Sequence, residues 1–295
     1  MSSESFPFAP VPAPWTLHGE VYWMVLSGSA LLPRNAQSPR PPQHDELLDC
    51  AYQPLERPSA DRPGSKEQEG RFVGGLGMVW VVRYTESPVG PYDELIYIPG
   101  DFVCPDGTTS PRITTIYVSS PESVWNGRRN WNIPKHLARF SFTKQDDGST
   151  LVKIYNFYDS APEESQHPFF AAQFNVQRYL PSIPLSTRPF LNKASPHPPL
   201  SAGPADRPEE CATDVSSGET KPGLAKGWTA VRHSTSGPAS LIWWSPAPHK
   251  EGGKIAAGEY ADGVGFPKVK VWSAGIWMGK GTTVLFGEPE PVRQA

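Results

Sequence analysis

The sequence predicts a mainly β fold: an antiparallel, barrel-like domain with long Pro-rich loops. Three observations carry this. The 295 residues include 35 Pro and 26 Gly, a density that breaks long helices and punctuates short strands. At least nine short segments alternate or run apolar between turn signals, the pattern of a closed or double-sheet β architecture. Aromatic residues make up 11% of the chain, enough bulk to fill one sizeable core.

The elements follow in order. His18 to Leu26 reads as a first strand. Residues 35 to 69 are rich in Pro, Ser, Gln and charge and read as a loop insertion. Phe72 to Tyr84 is strongly apolar, and Gly74, Gly75 and Gly77 predict a bend or bulge in its first half. Glu94 to Ile98 and Arg112 to Ser119 are the next strands, and Pro121 to Asn126 fits a single helical turn. Ala138 to Phe142 and Leu151 to Tyr158 both alternate, and Asp146-Asp147-Gly148 between them is a hairpin signal. Phe169 to Tyr179 is a further strand. A second Pro/Ser/Gly-rich insertion covers roughly 190 to 235. Strand character returns at Leu241 to Trp244, Val269 to Trp272 and Thr282 to Phe286. No fixed period repeats, so solenoids and propellers are excluded, and residues 1–295 read as one domain.

Charge and composition exclude several function classes. A net charge of −3 is not the concentrated basic face of a nucleic-acid binder. No run approaches the length of about 18 apolar residues that a membrane helix needs, and the N-terminus lacks the basic and apolar regions of a secretory signal. The three cysteines, Cys50, Cys104 and Cys211, are far apart and odd in number, which fits a reducing cytoplasmic setting without a disulfide framework. The seven histidines form no ligand-type pair, so no metal is expected, and no cofactor motif stands out. The expected partner is a small molecule, with a homo-oligomer left open.

The most informative stretch is Gly127-Arg128-Arg129-Asn130-Trp131-Asn132-Ile133-Pro134-Lys135-His136. Pro134 fixes its own φ and disfavours helix at Ile133, so the backbone that carries Lys135 is stiff. A lysine held against apolar neighbours such as Trp131 and Ile133 loses solvation, which lowers its pKa. A neutral amine attacks carbonyls and forms a Schiff base. His136 or Arg129 would add a like-charge push.

Two segments together resemble the acetoacetate decarboxylase family. Arg83-Tyr84-Thr85-Glu86-Ser87-Pro88-Val89-Gly90-Pro91-Tyr92 is similar to the segment that carries an active-site glutamate there. Gly127-Arg128 through Pro134-Lys135 is similar to the Gly-Arg, five-residue spacer, Pro-Lys signature that carries its Schiff-base lysine. The resemblance covers roughly residues 71 to 142. It implies a closed antiparallel β structure, Lys135 as nucleophile, and Glu86 in the pocket as a positioning or proton-relaying group. His136 stands beside the nucleophile as a third catalytic candidate, and Arg128, Arg129, Trp131 and Ile133 as substrate-binding ones. Three departures accompany it. His136 replaces the second lysine of the founding enzymes, Arg129 stands where a carboxylate is usual, and Leu17 to Tyr22 lacks the arginine that the first strand contributes there. Two readings follow. The first is a Schiff-base lyase, expected to decarboxylate a keto acid or polyketide-like molecule of secondary metabolism. The second is a non-covalent binding protein or cyclase that uses the same pocket by shape.

Overall fold

The computed structural model describes residues 8–26, 56, 72–160, 166–177, 179–189, 194–200, 227–248 and 252–292. In chain order the strands are β1 (Trp15–Leu26), β2 (Phe72–Gly74), β3 (Met78–Glu86), β4 (Tyr92–Ile98), β5 (Asp101–Val103), β6 (Thr109–Pro111) and β7 (Thr115–Val118). A helix, α1 (Pro121–Trp131), follows. Then come β8 (Lys135–Lys144), β9 (Thr150–Asn156), β10 (Phe170–Val176), β11 (Ile183–Ser186), β12 (Ser195–His197), β13 (Thr229–Val231), β14 (His233–Pro246), β15 (Val271–Phe286) and β16 (Glu290–Pro291).

The main sheet runs β10-β9-β8-β7-β4-β3-β1-β15-β14-β11. β10 also pairs with β14, so nine strands close into a ring and β11 lies outside it. The mainly β, barrel-like expectation holds. Closure removes the free edges that would otherwise recruit other chains. Two small sheets, β12-β13-β16 and β2-β5-β6, complete the described strands.

Among the described pairings only β7–β8 is parallel, and the connection across it is α1. A parallel pair needs such a crossover, because no tight turn can return the chain in the same direction. The helix is longer than the single turn its sequence suggests. Ser120 caps its start, its side chain accepting from the Ser123 backbone N–H, and a proline occupies the first turn. Asn132 ends it in the left-handed conformation at φ 54°, and its N–H donates to Arg128 O. Gly127 and Asn130 are poor helix formers, and tertiary packing overrides them. The positions from Ser123 to Arg129 are all buried.

The two faces of the sheet carry different layers. One layer is built from all nine ring strands, with Tyr22, Val81, Leu95, Tyr117, Ala138 and Ile154 among its members. It is the interior of the ring. The other layer lies between the sheet and α1, with Trp15, Tyr84, Tyr92, Ile116, Trp131 and Ile133. β3 serves both: Met78, Trp80, Val82 and Tyr84 face α1's layer, while Val79 and Val81 face the ring interior.

Two sequence expectations change here. From Val271 on, the separate strand signals at Val269–Trp272 and Thr282–Phe286 fall in one 16-residue strand, β15, interrupted by an irregularity against β1. The region read as an insertion at 190–235 holds β12 and β13, whose residues are all buried. Of the insertion read at 35–69, only Glu56 lies within the described residues, and it is buried.

Candidate active site

Lys135 is the first residue of β8, directly after the crossover helix. It pairs with Ile116 of β7. Its side chain turns into the layer beneath α1 and is 1% exposed. The lysine stem runs against the helix at Gly127. A Cβ on Gly127 would lie 2.7 Å from Lys135 Cδ and 2.9 Å from Cε. The glycine of the Gly-Arg motif is therefore needed for space rather than for backbone freedom.

The amine meets three polar groups. Nζ lies 3.0 Å from Ser123 Oγ in the first turn of α1 and 3.5 Å from the Tyr92 hydroxyl. It forms an ion pair at 3.3 Å with Glu94 Oε1, and Glu94 is fully buried. Aromatic faces close the rest: Nζ stands 5.3 Å from the Tyr92 ring centre and 5.9 Å from that of Trp15. Burial pushes the Lys135 ammonium down from its ordinary value, and the Glu94 carboxylate opposes that push. Burial and the Glu94 charge hold both Tyr84 and Tyr92 well above the usual phenol range, so their hydroxyls stay protonated and able to donate.

Glu86 takes no part in this constellation. It is an exposed residue at the end of β3, opposite His18 of β1. The acid that meets the lysine is Glu94, on the neighbouring strand β4. The physical reason is register. β4 carries Glu94 opposite Val118 of β7, two strands from Lys135, whereas Glu86 lies past the last residue that β3 pairs with β4.

The other predicted residues divide. Trp131 and Ile133 are buried in the lysine's layer. Trp131 packs edge-on to Trp15 at 5.2 Å and donates its indole N–H to Gly287 O, so it supports the aromatic wall from behind. His136 alternates to the other face of β8. Its Nε2 lies 2.9 Å from Glu56 Oε1, and its ring faces Tyr117 at 6.5 Å. Arg128 donates to the same Glu56 oxygen at 2.6 Å and to Lys135 O at 3.3 Å. Burial works to raise the Glu56 carboxyl, but Arg128 and His136 outweigh it and hold it well below the usual carboxylate range. Arg129 lies over the Trp125 ring at 3.8 Å and donates to Trp125 O. The expected like-charge push on Lys135 from His136 or Arg129 is thus replaced by desolvation. His136 faces a carboxylate, and Arg129 is turned onto an aromatic ring.

Among the described residues no group of three or more His, Cys, Asp or Glu could hold a metal ion. No described helix is long and apolar enough to cross a membrane.

The acetoacetate decarboxylase from Legionella pneumophila superposes with a TM-score of 0.52 over 99% of this chain and 92% of that one, at 12% identity. The chain has an acetoacetate decarboxylase-like fold. A second acetoacetate decarboxylase structure gives a TM-score of 0.48 at 11% identity, over 99% of this chain and 92% of that chain. No established family profile matches the sequence. Protein NEOXANTHIN-DEFICIENT 1 of rice (Oryza sativa subsp. japonica) is 37% identical over 84 residues. That match spans 28% of this chain and 28% of the rice protein. At 12% identity the acetoacetate decarboxylase-like fold is kept on a strongly diverged sequence. The Gly127 to Lys135 segment is the part of it whose spacing the geometry explains directly.

Proposed function

We propose that the protein is a lysine-dependent lyase that acts on a keto acid or polyketide-like small molecule through a Schiff base on Lys135. The observation that carries this reading is the burial of Lys135, with its amine 3.0 Å from one hydroxyl and 3.3 Å from one carboxylate. In this mechanism the neutral amine attacks the ketone carbon and water leaves as the imine forms. The bond to the carboxylate then breaks, CO2 departs, and its electron pair passes into the iminium nitrogen to give an enamine. Protonation at carbon and hydrolysis release the ketone and restore the lysine. Ser123 and Tyr92 are placed to pass protons at the nitrogen, and Glu94 to balance the iminium charge.

One observation favours the second reading, non-covalent binding or cyclisation. Arg128 is bound to Glu56 and to Lys135 O, and Arg129 lies over Trp125, so both guanidinium groups are already engaged. A substrate recognised by shape alone would need no guanidinium clamp. The rice relative, named for a lack of neoxanthin, points to isoprenoid chemistry as a substrate class to include. The deciding experiment measures CO2 release and ketone formation from a panel of β-keto acids, with Lys135→Arg as control. A guanidinium stays charged and forms no imine, so the variant should be inactive. Undiminished turnover in Lys135→Arg would leave only the shape-directed reading.

A further inference from the structure

Two adjoining half-open clefts of about 400 and 590 Å³ lie at one end of the ring. Both are lined by Glu20, Tyr22, Lys144, Ser182 and Trp277. Lys144 ends β8 and Lys135 begins it. Tyr22, Phe174 and Trp277 belong to the interior layer, whereas Lys135 lies in the layer beneath α1. The mouth is therefore separate from the lysine site.

Its wall has a built irregularity. Between Gly19 and Val21 of β1 the partner strand β15 advances from Thr282 to Met278. Gly279-Lys280-Gly281 is thereby left as a bulge, with Gly281 at φ +88°. β14 meets the same bulge with its own register shift between Ser236 and Ala239. Thr282 Oγ1 ties it down by donating to Gly279 O at 2.6 Å. Bulges of this kind re-aim a side chain. Here Pro238, Gly279 and Lys280 come to line the larger cleft.

The lining has two characters. Arg83, Lys144 and Lys280 put three exposed cations at the larger cleft, against Glu20 in its lining and Asp93 beside Arg83. Glu20 is already engaged through Oε2, which accepts from the Tyr22 hydroxyl at 2.7 Å and the Trp277 indole at 3.2 Å. Those two hydrogen bonds fix both rings; Tyr22 is buried against Phe174, and the partly exposed Trp277 ring presents the flat apolar surface, beside Val176 and Leu180. Arg83 lies 4.1 Å over the Phe142 ring and pairs with Asp93, which holds its guanidinium in place.

We propose that the barrel mouth is a second binding site, for an organic anion with a flat apolar body, an aromatic or polyunsaturated carboxylate. The body lies on Trp277 beside the exposed Leu180, and the carboxylate meets Lys144, Lys280 and Arg83 at the rim. This does not rest on imine chemistry at Lys135. The test titrates the protein with anthracene-2-carboxylate and, separately, with its uncharged carboxamide, read by ligand fluorescence and by calorimetry. The acid binds with one-to-one stoichiometry and the amide at least about tenfold more weakly. The double variant Lys144→Glu/Lys280→Glu, which changes only exposed side chains, weakens the acid by at least about tenfold. Lys135→Ala leaves acid binding unchanged. No binding at millimolar acid, equal binding of acid and amide, or indifference to the double charge reversal would overturn the proposal. Loss of binding in Lys135→Ala alone would also overturn it, because the probe would then occupy the lysine site.

Discussion

Gly127→Ala separates the stability of the fold from the placement of the amine. The new methyl would lie 2.7 Å from Lys135 Cδ and 2.9 Å from Cε, where carbon atoms at rest stand about 3.5–4.0 Å apart. The lysine stem must therefore move by about 1 Å, or the helix must lift. Two terms oppose each other in stability. Replacing a helical glycine by alanine gains about 1 kcal/mol. Overpacking costs about 1–3 kcal/mol, toward the lower figure here because the atoms that yield belong to a flexible side chain. The net change is within about 2 kcal/mol, a shift of a few degrees in melting temperature. The amine is less forgiving, because Cε carries Nζ away from Ser123 and Glu94. A misplacement of about 1 Å can cost about a hundredfold in rate. The assay pairs thermal denaturation with the rate of borohydride trapping by a keto acid. A variant that melts near the parent temperature and traps at the parent rate would refute the claim that Gly127 positions the nucleophile.

The remaining predictions concern charge. Glu94→Gln removes the group that opposes desolvation of Lys135, so the pH midpoint of trapping moves down, and a midpoint that stays or rises would contradict the ion pair. Glu56→Ala strands Arg128 and His136 and should cost about 3–5 kcal/mol in denaturant unfolding. Because the folded Glu56 carboxyl is depressed, its stabilisation is present above the unfolded value of 4.5 and is lost as pH falls below it. That acid limb should be absent in Glu56→Ala. Burial, with the Arg112 and His233 charges, lowers His197 from 6.5 to about 3, and burial alone lowers His233 to about 4. The unfolded chain then binds protons that the folded one refuses, so stability falls as pH drops from 6.5 toward 4, and His233→Gln should flatten part of that slope.

The lysine was legible in the sequence because its constraint is local. Pro134 stiffens the backbone directly before the lysine, and it needs no distant partner to be read. Glu94 was not legible for the opposite reason. It stands in Tyr92-Asp93-Glu94-Leu95-Ile96, where both faces of the strand are buried. A carboxylate there looks like a solvated one, since acids are mostly exposed. The available signal was parity: Tyr92, Glu94, Ile96 and Ile98 share one face, and that face is otherwise apolar. Glu56 gave no signal, because it lies in a Pro-rich charged stretch and only a tertiary contact sets it apart. The length of α1 was hidden by Gly127 and Asn130, although Ser120-Pro121 marked its start. Ring closure through β10 and β14 is a pairing of strands remote in sequence, which local periodicity can suggest by strand count alone.

The central claim is that the buried amine of Lys135 is the nucleophile. The most direct measurement is borohydride reduction during incubation with a β-keto acid panel, followed by peptide mass mapping. The account predicts a reduced adduct on the peptide that contains Lys135, lost in Lys135→Ala and retained in Glu86→Gln. An unmodified Lys135 peptide under conditions of substrate turnover would contradict it.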